Sequence, residues 1–191
     1  MSNHENPISL NSGNGNLAKA IVSQKEGHWS VPEGTILASR VDRLAAFVLD
    51  VILINTILLL ITKKKIFYAW SISMWLSTDV HYSIMMAFVI FSGHWLYWRY
   101  SGIYLSRSMG QKLFGLAIVA DDGSEMTSEM WDKRVLNKLI YLIPIIGWYK
   151  GIYDLASISH RHTHQSNIDL KVNSIVVKTY SLPPFNRKHI K

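Results

Sequence analysis

The sequence predicts an all-α membrane protein: two transmembrane helices, a third short apolar helix that is re-entrant, interfacial or spanning, and a small cytoplasmic β element. Three observations predict it. The apolar residues, 49% of the chain, are gathered into long runs, while charged residues make up only 17%, below the usual quarter. Most Lys and Arg flank those runs. Aromatic residues reach 12%, with seven Trp and nine Tyr, which suits a chain with membrane–water interfaces to occupy. Mean hydropathy is only +0.12 because polar tails dilute the runs.

The 191 residues suit one domain. A net charge of +7 would suggest nucleic acid if it formed a basic patch on a soluble fold. Here it brackets apolar segments instead, so the lipid bilayer is the expected partner and nucleic acid is not. There is no Cys, which excludes disulfides, Cys-ligated zinc and thiol catalysis. Residues 1–35 contain no apolar signal-like stretch, so the first membrane helix is expected to serve as its own uncleaved insertion signal.

Taken in order, residues 1–35 are rich in Asn, Ser and Gly and read as a disordered N-terminal tail. Residues 36–178 form the membrane domain and 179–191 a C-terminal tail. Leu44 to Thr62 (LAAFVLDVILINTILLLIT) contains one formal charge, Asp50. At ~1.5 Å per residue it covers ~28 Å, enough for the hydrocarbon core. Lys63, Lys64 and Lys65 end it abruptly. Residues 66–80 are aromatic and mixed, an interfacial stretch plus turn. Ser83 to Ser101 (SIMMAFVIFSGHWLYWRYS) is the second span, with Trp95, Tyr97, Trp98 and Tyr100 as an aromatic belt.

Beyond it, LFGLAIVADDG reads as a strand closed by an Asp122-Gly123 turn. Thr127 or Ser128 caps a following helix. Leu139 to Tyr149 (LIYLIPIIGWY) is the third apolar run, short and interrupted by Pro144 and Gly147. Val172 to Lys178 (VNSIVVK) is β-branched and strand-like, and is expected to pair with LFGLAIVA. With a cytoplasmic N-terminus and two spans, only Lys63, Lys64 and Lys65 among the basic residues fall outside, which follows the positive-inside pattern.

Three ordered segments then resemble the RDD family of membrane proteins, named for one Arg at the start of its first helix and two Asp. In ASRVDRLAAFVLDVIL, Arg43 matches the Arg and Asp50 the first Asp. In MGQKLFGLAIVADDG, Gly110, Gln111, Lys112 and Gly115 match the family's Gly-Gln and Gly-Lys segment, in contracted spacing. In IDLKVNSIVV, Asp169 matches the second Asp, and Ile168 stands where the family has a His. The resemblance implies transport, including monovalent-cation/proton exchange in some members, or a scaffold role in a membrane complex.

Asp50 is the most informative residue. A charged carboxylate at the centre of a membrane helix costs roughly 2.5–3.5 kcal/mol and is normally paired. Arg43, seven residues earlier, lies on nearly the same helical face. Asp50 and His94 both lie ~9–10 Å from the cytoplasmic ends of antiparallel helices, so an Asp50–His94 contact is expected. Together with Arg43 it forms an ion or proton site, or a buried polar clasp. Asp169 is expected to meet Arg43 or Arg40. His160, His162 and His164 alternate in HRHTH and read as a solvated or headgroup-facing loop. Lys150 and Asp154 read as an i,i+4 ion pair.

No nucleotide loop, dinucleotide fingerprint, serine elbow or zinc-protease helix is present, so enzymatic activity, metal and cofactor are not expected. The functional expectation is a multi-pass inner-membrane protein that transports a monovalent cation or small solute coupled to protons, or else a scaffold subunit. Two helices cannot enclose a pathway, so a homo-oligomer or a membrane protein partner is expected.

Overall fold

The computed structural model describes residues 34–63, 78–161 and 164–191. Residues 1–33 of the expected N-terminal tail, most of the 66–80 stretch, Lys64, Lys65 and His162 lie outside the described residues, while Thr35, at the end of that expected tail, is buried.

Helix α1 spans Arg40–Thr62. Ser39 caps it by accepting a hydrogen bond from the Asp42 amide at 3.1 Å, one turn before the apolar run begins. Lys63 closes it in the left-handed region (φ 54), its N–H bonded to the Leu59 carbonyl at 2.8 Å. At 23 residues it reaches ~34 Å, longer than a hydrocarbon core. Among the described residues it is the one helix both long and apolar enough to cross a membrane.

Helix α2 spans Val80–Leu105, longer than the expected second span at both ends. Ser83, Ser92, His94 and Arg99 dilute its hydropathy. It runs antiparallel to α1, with Gly93 against Leu58 and Tyr97 against Asp50. Both helices expose large apolar side chains: Ile52, Leu60 and Ile61 on α1, and Ile84, Met85 and Phe88 on α2. Water would penalise such a surface, whereas lipid tails accept it.

The remainder packs against one end of this pair. A short helix α3 (Met109–Leu113) leads into strand β1 (Leu116–Ala120). Helix α4 (Ser128–Leu139) is capped by Thr127. Helix α5 (Ile146–His160) and the short helix α6 (Asn167–Lys171) precede strand β2 (Ser174–Lys178). The expected pairing forms: β1 and β2 are antiparallel, with Leu116 opposite Lys178 and Ala120 opposite Ser174. Leu37 adds a bridge to Val177 on the far side of β2.

Both faces of this small sheet are covered. One face packs Ala117, Val119, Ile175 and Val177 with Leu37 and Leu182. The other packs Leu116, Ile118 and Val176 with Ala46, Met126 and Trp131. Two-sided burial explains why LAIVA and SIVV are continuous apolar runs rather than alternating ones.

Two expectations need correction. Residues 179–191 are not a loose tail: Leu182 is completely buried, the Ser181 hydroxyl accepts from the Ile36 amide at 2.9 Å, and Asn186 donates to the Gly123 carbonyl at 2.9 Å. The covering of the sheet's outer face requires them. The third apolar run is not one helix: a 3-10 turn (Ile140–Leu142) is separated from α5 by Pro144 and by Ile145 at φ 65. Proline cannot donate into the ladder, and the chain turns there.

Candidate functional site

Asp50 lies at the meeting of α1, α2, α3 and α4, with no exposed surface. Its Oδ1 accepts from the Tyr97 hydroxyl at 2.8 Å and from the Gly110 amide at 2.9 Å. Oδ2 has no hydrogen-bond partner, and the Lys138 ammonium stands 3.6 Å away. Lys138 also sits over the Trp98 ring, 4.0 Å from its centroid, and 5.4 Å from the Phe47 centroid. Its burial pushes the Lys138 amine down to about 8, with Asp50 opposing the shift.

Gly110 explains part of the motif that suggested the family. A Cβ there would fall 2.2 Å from the Ala46 carbonyl and 2.9 Å from Asp50 Oδ1. Only glycine lets the chain come close enough to α1 for its amide to reach the carboxylate. Ser108 and Gln111 form a capping box that orients this first turn: Gln111 Oε1 accepts from the Ser108 amide at 2.8 Å. Lys112 is exposed on α3. Gly115 carries the chain into β1 at φ +63, and its carbonyl accepts from the Thr179 amide at 2.8 Å.

A second cluster centres on Asp169, also fully buried. Arg43 Nη1 donates to Oδ2 and Arg134 Nη1 to Oδ1, each at 2.5 Å. The Ser166 amide donates to Oδ2 at 2.9 Å. Burial alone would raise this carboxyl, but the Arg134 and Arg43 guanidiniums outweigh it and hold it at about 2. The expected Arg43–Asp169 contact is therefore present, and Arg134 joins it. Arg40 points elsewhere and donates to Ser159 Oγ at 2.7 Å.

The third buried acid is Asp154, which accepts from the Tyr141 hydroxyl and from Asn167 Nδ2. Burial, with Asp154 alongside, pushes the Tyr141 phenol well above its ordinary range. The expected Lys150–Asp154 ion pair does not form among the described residues: Asp154 is buried and takes its hydrogen bonds from Tyr141 and Asn167.

The expected Asp50–His94 contact is also absent. His94 is completely buried, but its Nδ1 bonds the Ile90 carbonyl at 2.8 Å within its own helix and its Nε2 has no hydrogen-bond partner. Its ring packs on Trp98 at 5.2 Å. Depth placed the two side chains at one level. Tyr97, on the next turn of α2, reaches the carboxylate instead. His164 is buried, not solvated, with its carbonyl accepting from Arg43 Nη2 at 2.7 Å, while His160 is exposed.

A cavity of about 450 Å³ opens between α1 and α5 and joins these clusters. Arg43, Asp50, Arg134, Lys138, Tyr141 and Asp154 form its polar inner wall; Leu44, Val48, Trp148 and Ile152 form its apolar rim. Lys138 and Arg134 escaped the sequence reading. A signal existed: Trp131, Arg134, Val135 and Lys138 recur at i, i+3, i+4 and i+7, so the face that buries the Trp and Val also buries both cations.

A long apolar helix carrying a sequestered carboxylate, with a charged cavity where it meets a small folded cap, defines this chain as a membrane protein. It belongs to the RDD family, whose model matches residues 37–171. No curated protein and no solved structure matches it.

Proposed function

We propose that this is a multi-pass protein of the bacterial inner membrane, N-terminus cytoplasmic, that moves a monovalent cation or a small solute coupled to protons. In this reading α1 and α2 both cross, and the sheet with its covering helices lies on the cytoplasmic side. The carrying observation is Asp50: fully buried, one oxygen without a hydrogen bond, 3.6 Å from Lys138 and at the inner wall of an open cavity. A carboxylate kept in a membrane helix at such cost is commonly part of an ion or proton path. Because two helices cannot enclose a pathway, the transporting unit is an oligomer or includes a partner.

The test is proton-linked flux in proteoliposomes of the full chain. Wild type is expected to acidify or alkalinise the lumen when a cation gradient is applied, and Asp50→Asn to abolish this while retaining its elution volume and helicity. Wild-type protein with no flux for Na⁺, K⁺ or small solutes would defeat the reading.

A second reading, a scaffold subunit, draws on Asp169. Its two guanidinium partners tie α1, α4 and α6 into one rigid block, which suits a fixed docking part. Co-purification with one stoichiometric membrane partner, and no flux, would favour it.

A further inference from the structure

Gly151 stands in the middle of α5 and lines the cavity. A Cβ built on it meets nothing within 4 Å. Glycine inside a helix is unfavourable relative to alanine, and here no neighbouring backbone or side chain demands it. What it does is keep the cavity wall open beside Trp148, Ile152 and Leu155.

The inner wall is uneven in its hydrogen bonding. Among the described residues, Lys138 Nζ makes no hydrogen bond; it has only the ion pair with Asp50 and the two aromatic faces. Arg134 commits Nη1 alone, to Asp169 and to Ser174 Oγ. Gln111 uses its Oε1 at the Ser108 amide and leaves its amide NH₂ open. Among the described carboxylates here, Asp154 and Asp169 use both oxygens, and Asp50 Oδ2 has no hydrogen bond but faces the Lys138 ammonium at 3.6 Å. Of the charged residues lining the cavity, Arg43, Arg134 and Lys138 stand against Asp50 and Asp154, with Asp169 behind the wall pairing the two guanidiniums. Selection therefore rests on open donors, which outnumber open acceptors. Donors that converge from two helices behind an apolar mouth match an oxyanion with a hydrocarbon tail.

We propose that the cavity between α1 and α5 binds a single-chain amphiphile with an anionic oxygen head, the head on Lys138 and Arg134 and the tail passing Gly151 to the rim at Leu44, Val48 and Ile152. The volume, about 450 Å³, lies in the range of roughly 300–1,000 Å³ that holds a small organic ligand. The rim residues are exposed on the apolar flanks of α1 and α5, so the tail enters from the lipid side. This rests on the transport reading and names what the site takes.

The experiment uses the full chain in nanodiscs of zwitterionic lipid, titrated calorimetrically with decanoate, decyl phosphate and decyltrimethylammonium. Both anions are expected to bind saturably, at least about tenfold more tightly than the cation, the loss that one charge-assisted hydrogen bond would cause. Gly151→Leu, which fills the passage without touching a charge, is expected to weaken decanoate at least about tenfold; Lys138→Met does the same through the head. Equal binding of the cation, or decanoate binding unchanged in Gly151→Leu, overturns the proposal. Doping the discs with phosphatidylglycerol separates the sources: competition with decanoate points to a phospholipid head, and undiminished binding to a free carboxylate. Flux without decanoate binding sinks this inference and leaves the transport reading standing; decanoate binding without flux does the reverse.

Discussion

Lys138 and Asp50 face each other at 3.6 Å across the junction of α4 and α1, with the carboxylate wholly withdrawn from solvent and the ammonium nearly so. Neither charge is tolerable there alone. Removing one partner of a buried pair leaves the other uncompensated, at a cost of roughly 3–5 kcal/mol, whereas removing both costs much less. Asp50→Asn and Lys138→Met are each expected to lower the unfolding midpoint in detergent, and the double variant to recover most of the loss. Effects that add to within about 0.5 kcal/mol would show the two are uncoupled.

Asp169 predicts acid sensitivity. Its folded value of about 2 lies below the unfolded ~3.9, so the folded state favours the ionised form. The contribution, on the order of 2–3 kcal/mol, is fully present above about pH 4 and is lost as pH falls towards 2. Urea unfolding at pH 5, 3 and 2 reads this slope. Asp169→Asn is expected to flatten it, and an unaltered slope in that variant assigns the acid sensitivity to other carboxylates.

Gly110 and Gly151 predict opposite responses to the same change. Gly110→Ala forces a Cβ to 2.2 Å from the Ala46 carbonyl, so α3 must lift from α1 and the Asp50 bond to the amide is lost. A destabilisation of roughly 2–4 kcal/mol is expected. Gly151→Ala meets open space and is expected to stabilise by up to about 1 kcal/mol. A matched pair of melting curves decides; equal effects would mean the close approach at Gly110 is not as described.

The C-terminal segment is expected to be part of the fold. Leu182 is completely buried against Leu37, Val119 and Val177, and Leu182→Ala should cost roughly 2–5 kcal/mol. Truncation after Lys178 should expose the outer face of the sheet and promote aggregation on size exclusion. A truncated chain that elutes and melts like the full one would return these residues to the status of a tail.

Topology is open to direct test because the chain has no Cys. Single substitutions Lys63→Cys and Ser124→Cys fall at exposed positions at opposite ends of the α1–α2 pair. In intact cells a membrane-impermeant maleimide is expected to label the first and spare the second. Labelling of both, or of neither, contradicts a two-span arrangement with the sheet on the cytoplasmic side.

Much of this molecule is written in short stretches of sequence. Hydropathy over Leu44 to Thr62 marks all but the first turn of α1, Thr127 marks a helix start, and two β-branched runs mark strands that do pair. Burial and backbone preference act over a few residues, so a local window carries them. The Arg43–Asp169 contact was also legible, because both fell at the same end of the membrane helices.

The partners of Asp50 were not legible. Helical rise sets how deep a side chain lies, and by that measure His94 was level with the carboxylate. Rise says nothing about the rotation and tilt of docked helices, and in the folded chain His94 turns to Ile90 and Trp98 while Tyr97, Gly110 and Lys138 meet the acid. Those three come from separate segments whose approach is decided by packing: glycine's missing Cβ at position 110 and Trp131 with Val135 seating α4. The sequence alone determined that a charge enters the membrane helix; the tertiary structure decided what neutralises it, because close packing of distant segments, not local pattern, brings opposite charges within reach.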